Sequence, residues 1–74
     1  NEVISMKLSA RNQLKGTICS IDTGSVNDIV KIKLSSGDII SATITKQSVQ
    51  ELGLEVGRPA YAVIKASSVM VAVD

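Results

Sequence analysis

Apolar and polar positions alternate with a period of two along most of this chain, and the alternation breaks once. In 26–34, Val26, Val30, Ile32 and Leu34 alternate with Asn27, Lys31 and Lys33, the pattern of a strand with one buried and one wet face. The β-branched stretch IISATIT at 39–45 predicts another. Further strands are predicted at 7–10 and at 14–22, LKGTICSID, where Gly16 marks a bulge or a close backbone approach. TGS at 23–25 is a turn signal and SSGD at 35–38 a hairpin loop. The period changes after Thr45, a good N-cap. Val49 and Leu52 share one helical face, and Gly53 suits the left-handed residue that closes a helix. The reading is a short helix over 46–52 with Leu54 folding back on it. EVGRP at 55–59 is a turn, and AYAVIKA at 60–66 and VMVAV at 69–73 are the last two predicted strands.

Those last two segments are apolar on both faces. Tyr61 and Val63 oppose Ala62, Ile64 and Ala66; Val69, Val71 and Val73 oppose Met70 and Ala72. A sheet with one wet face alternates more cleanly. A small barrel covers only its inner face, so the outer face is expected against another subunit, in preference to the domain's own short helix. Strands, one short helix and two further strands in one small all-β domain predict a small OB-like barrel, a five-stranded, partly open Greek key.

Length sharpens the expectation of a partner. At 74 residues the chain is one domain, and a core this small rarely supplies more than about 3–5 kcal/mol unaided. Cys19 is the one cysteine, which excludes an intrachain disulfide, and there is no histidine to build a metal cage. Oligomerisation is the remaining way to add stability. A lone thiol with no signal-peptide pattern points to a reducing, cytoplasmic compartment, and no apolar run reaches the roughly 20 residues of a membrane span.

The same composition narrows the chemistry. Eight basic and seven acidic residues leave a net charge of +1, no footprint for nucleic acid. Tyr61 is the one aromatic, which counts against single-strand binding by base stacking. Without histidine, and with Asp22, Asp28, Asp38, Glu51 and Glu55 falling at predicted turns, strand ends and the helix, no acid–base pair is in evidence, and no enzyme is expected.

Anion binding fits better. Residues 3–21 hold no Asp or Glu and carry Ser9, Arg11, Asn12 and Gln13; residues 56–73 hold none and carry Lys65, Ser67 and Ser68. Arginine offers a planar fork of donors and lysine a point charge with three, and the start of the helix at Thr45 adds backbone N–H groups. Each residue has a plainer reading beside this one. Arg11 is then a solvated charge, Lys65 a snorkelling strand end, Ser67-Ser68 a turn and Thr45 a cap. The donor pattern alone leaves both open.

SARNQLKG at 9–16, followed in order by ELGL, VG and VIKASSVM within 44–73, resembles the molbindin family, the Mop/TOBE-type molybdate-binding domains. The resemblance covers 6–74, with 1–5 as a flank or cloning remnant ahead of the start that Met6 would supply. It implies an OB-like barrel that pairs by exchanging its N-terminal strand, and a hexamer built as a trimer of such dimers. It implies molybdate or tungstate at subunit interfaces, held by hydrogen bonds with no protein ligand to the metal and no cofactor. On this resemblance Ser9, Ala10 and Arg11 contact the oxyanion from one chain and Lys65, Ala66 and Ser67 from another. Thr45 adds a hydroxyl, Ala10 and Ala66 offer backbone only, and Asn12, Gln13 and Ser68 are candidates for support.

The function implied is intracellular molybdenum storage or homeostasis. The alternative is a ligand-sensing domain at the C-terminus of a molybdate-transport ATPase or a molybdate-responsive regulator, which a reading frame opening at Met6 would separate from the first. A nucleic-acid-binding OB module is a more distant alternative.

Overall fold

The computed structural model describes residues 11–74. The strand expected at 7–10, with Ser9 and Ala10, lies outside the described residues. Four strands and one helix follow: β1 (Asn12–Thr23), β2 (Asn27–Leu34), β3 (Ile39–Thr45), α1 (Lys46–Leu52) and β4 (Pro59–Ile64), then a single 3₁₀ turn at Ala66–Ser68. The strands form one antiparallel sheet in the order β3-β2-β1-β4. Three strands joined in sequence, with the fourth returning beside the first, make a Greek key.

Alternation sets which face is buried. In β2, Val30 and Ile32 are buried and Leu34 half-buried, while Lys33 faces solvent. Asp28 takes the next inward position and is only 4% exposed. Val26, expected to begin this stripe, belongs to the preceding turn and is 68% exposed. In β1 the register shifts between Ile18 and Ser20, so that Ile18 pairs with Ile32 and Ile21 with Val30. Cys19 is therefore the extra residue of a bulge. Residues three apart on a regular strand face opposite sides; the bulge turns Ile18 and Ile21 to the same side. Gly16 is the close approach and not the bulge. A Cβ there would lie 2.5 Å from the Lys33 carbonyl oxygen and 2.8 Å from Ile32 Cγ2.

The helix forms as its ends prescribe. The Thr45 hydroxyl accepts from the Ser48 N–H, and Gly53 closes the helix at φ 65°. Leu54 N–H then donates to the Val49 carbonyl. Val49 and Leu54 pack on a core of Ile18, Val30, Ile32 and Ala62. Leu52, expected beside Val49, is 68% exposed and lies on the rim of an open apolar groove.

That groove occupies the concave face of the sheet. It measures about 970 Å³ and is lined by Ile18, Ile32, Ile40, Ile44, Leu54 and Ile64 among others. The strand expected at 60–66 spans Pro59–Ile64, and the one expected at 69–73 does not form: Val69 to Asp74 make no ladder. A β pattern becomes a strand only where the backbone finds a ladder partner. No described segment of this chain pairs with the outer edges of β3 and β4. Met70, Val71 and Val73 are about nine-tenths exposed. The described residues hold four strands, and the strand expected at 7–10 lies outside them.

Candidate functional site

Arg11 immediately precedes β1 and Lys65 immediately follows β4. The last rung between those strands pairs Asn12 with Ile64, and Asn12 Nδ2 donates across it to the Ile64 carbonyl at 3.3 Å. Residues 54 positions apart in sequence therefore emerge at one end of one strand pair. Lys65 is extended and starts the 3₁₀ turn, whose Ser68 N–H donates to the Lys65 carbonyl at 2.9 Å. That turn exposes Lys65, Ala66, Ser67 and Ser68, and Arg11 is exposed opposite them.

Among the described residues neither cation at this end meets a carboxylate. Among the described residues the ion pairs are Lys46–Asp28 at 3.1 Å and Arg58–Glu55 at 3.5 Å. Two further carboxylates have local partners: Asp38 accepts from Ser36 Oγ and Glu51 from Gln47 Nε2. An end of the sheet with two cations that no described carboxylate meets, with hydroxyls and backbone N–H groups, and with no acid in the adjoining segments, attracts an anion and offers it donors.

Thr45 is placed elsewhere. It pairs with Asn27 at the start of β2, whose neighbour Asp28 pairs with Thr23, the last residue of β1. Within one protomer Thr45 and Arg11 thus belong to opposite ends of β1. The Thr45 hydroxyl caps α1 and lies 2.9 Å from Ser48 Oγ. Asn12 is half-buried and supports the rung beside Arg11; Gln13, the next residue, is exposed. Among the described residues no group of three or more Cys, Asp or Glu side chains is placed to hold a metal ion, and Cys19 is exposed and free.

Sequence reasoning missed the polar cluster beneath Thr45. Asp28 Oδ1 accepts from the Gly24 N–H at 3.2 Å and from Lys46. The signal was present: Asp28 continues the inward alternation of Val30, Ile32 and Leu34, and a carboxylate there needs partners.

Comparison with known proteins agrees with this architecture. The "Probable molybdenum-pterin-binding protein" of Haemophilus influenzae is 58% identical over 69 residues, covering 93% of this chain and all of its own. The structure of MopII from Clostridium pasteurianum superposes with a TM-score of 0.85 at 37% identity, over 90% of this chain and all of MopII. The cytoplasmic molybdate-binding protein ModG, solved with molybdate bound, gives a TM-score of 0.79 at 51% identity, over 82% of this chain and 43% of ModG. The TOBE domain model matches residues 8–71, and the chain belongs to that family, with the OB-like fold of the Mop proteins.

Proposed function

We propose that this chain binds molybdate or tungstate and serves intracellular storage or homeostasis, in the cytoplasm and without catalysis. The observation that carries the reading is the acid-free end of the β1–β4 pair, where Arg11 and Lys65–Ser67 adjoin and no described carboxylate meets either cation. The names of the relatives supply the ion: one is a probable molybdenum-pterin-binding protein and another a cytoplasmic molybdate-binding protein. Among the described residues no helix is long and apolar enough to cross a membrane.

A donor-only shell suits molybdate. The ion is a tetrahedral dianion with no proton at neutral pH, so every oxygen accepts. Hydrogenphosphate carries a proton that would face a donor. Sulfate has the same charge but shorter bonds to oxygen, so its oxygens fall short of donors set for the larger ion. Ser9, Ala10 and Arg11 would contribute from one copy, and Lys65, Ala66 and Ser67 from its neighbour across an interface at this end. Thr45 stands at the far end of β1 in its own protomer, so its hydroxyl reaches such an ion only from a second copy.

The open groove and the exposed Met70, Val71 and Val73 support an assembly, which we take to be a hexamer built of strand-exchanged dimers. Apolar area of this kind contributes about 25 cal/mol per Å² once covered. Native mass spectrometry with and without molybdate tests both parts together. The expected result is a hexamer that gains molybdate ions; a monomer, or an assembly that takes up none, overturns the reading.

A further inference from the structure

We propose that the Asp28–Lys46 ion pair is a positioning device for the Thr45 hydroxyl in the oxyanion site. The inference rests on the proposed function, in which Thr45 is one of the groups that hold the ion.

Asp28 is the one buried charged residue among those described, at 4% exposure. It occupies the inward position that continues Val30 and Ile32, where an apolar side chain would serve the core as well. The pair is buried on one side only, since the Lys46 side chain is 39% exposed; a half-exposed pair adds little stability, and desolvation of the carboxylate offsets part of that. Its geometry suggests another role. One oxygen, Oδ1, accepts from two different elements: the Gly24 N–H in the turn between β1 and β2, and Lys46 Nζ on the first residue of α1. The Lys46 N–H in turn donates to the Val26 carbonyl at 3.0 Å. Thr45, directly before Lys46, is held through its rung with Asn27 on the same β2 strand. The backbone carrying the Thr45 hydroxyl is thus tied from the turn, the strand and the helix start at once.

The hydroxyl itself is poised. Thr45 Oγ1 accepts from the Ser48 N–H at 3.1 Å and lies 2.9 Å from Ser48 Oγ. Two hydroxyls at that distance have two arrangements. Thr45 donates to Ser48, or Ser48 donates to Thr45 and leaves the Thr45 hydrogen to the anion. The second arrangement delivers a donor to a fixed point only while the Thr45–Lys46 backbone stays fixed, which is what the Asp28 carboxylate secures.

A double-mutant cycle on the assembled protein, read by calorimetric titration with sodium molybdate, tests the inference. Thr45→Val removes the hydroxyl, and Asp28→Asn keeps the acceptor for Gly24 but discharges the pair. Each single change is expected to weaken binding, Asp28→Asn by about fivefold to tenfold, within the range of coupling between neighbouring groups. The decisive expectation is non-additivity: in the Thr45→Val background, Asp28→Asn costs little more. Lys46→Arg keeps the charge and should bind as the parent does. If Asp28→Asn does not fold, Lys46→Met, at a side chain 39% exposed, completes the same cycle. An undiminished loss in the Thr45→Val background, or no loss from discharging the pair, overturns the inference and leaves the proposed function standing. If Thr45→Val itself binds molybdate normally, both this inference and the place of Thr45 in the site fail.

Discussion

The two ends of β1 are built on opposite principles. At the Thr23 end, every polar group with a role has a partner inside the protomer: Asp28 with Gly24 and Lys46, Thr45 with Ser48, and Gly53 and Leu54 with the last carbonyls of α1. At the Asn12 end, Arg11 and the Lys65–Ser68 turn are exposed, no carboxylate among the described residues meets either cation, and the chain beyond runs apolar and without a strand partner among them to Asp74. Folding accounts for the first end, apart from the tie we propose between Asp28, Lys46 and the Thr45 hydroxyl. The second presents donors and apolar surface that the described residues leave exposed, which is where a ligand and a second copy have something to gain.

The largest effect that separates the ends is expected in the core that serves the closed one. Ile18 is 1% exposed, and Ile18→Ala should destabilise the protein by about 2–5 kcal/mol, the usual result of deleting a buried isoleucine side chain to its Cβ. Urea denaturation checks it, and molybdate affinity of the fraction that remains folded should be little changed.

The converse substitution is Arg11→Ala. It should leave the denaturation midpoint of the ligand-free protein nearly unchanged and weaken molybdate binding by about 1.5–3 kcal/mol, the worth of a hydrogen bond to a charged group. Arg11→Lys should also lose affinity, because a point charge does not replace a planar fork. Titration calorimetry on both variants decides; unchanged affinity in a folded Arg11→Ala protein removes this residue from the site.

Between the two ends lies Gly16. Its missing Cβ lets β1 approach the Lys33 carbonyl. Gly16→Ala should cost about 1–3 kcal/mol in stability by overpacking, measured by the same urea titration. A smaller effect is expected from Thr45→Ala at the cap, about 1 kcal/mol of stability, together with a loss of molybdate affinity that Thr45→Ser should not show. Retention of full affinity by Thr45→Ala would confine this residue to the closed end.

The closed end was largely legible in the sequence, for reasons that are local. IISATIT reads as a strand from its β-branched residues, and 46–52 reads as a helix because Thr45 and Gly53 carry the capping chemistry. Both sets of bounds match the structure. What escaped is non-local. The bulge at Cys19 depends on the register of β1 against β2, which no property of Cys19 announces, and Gly16 was readable as special without showing which of its two roles it plays. Nothing local to Asp28 shows its role, because its partners, Gly24 and Lys46, are brought to it by a turn and a helix start.

The open end divides in the same way. Arg11 and Lys65 stood out in the sequence as cations in acid-free segments, but their meeting depends on the Asn12–Ile64 rung across 52 positions. The pattern at 69–73 is that of a strand, yet no ladder forms there. Pattern reports what a segment can bury and not whether its own protomer offers an edge to pair with.

The central claim is that the open end is a site for a large tetrahedral dianion, and thermal unfolding in matched anions tests it most directly. A ligand that binds only the folded assembly stabilises it by about 2.7 kcal/mol at a hundredfold excess over its dissociation constant. Molybdate and tungstate should raise the melting temperature, most in dilute protein where dissociation competes with unfolding. Sulfate and phosphate at equal concentration and ionic strength should do much less. Equal protection by sulfate and molybdate would contradict the account, leaving a fold of this family with a general anion hole.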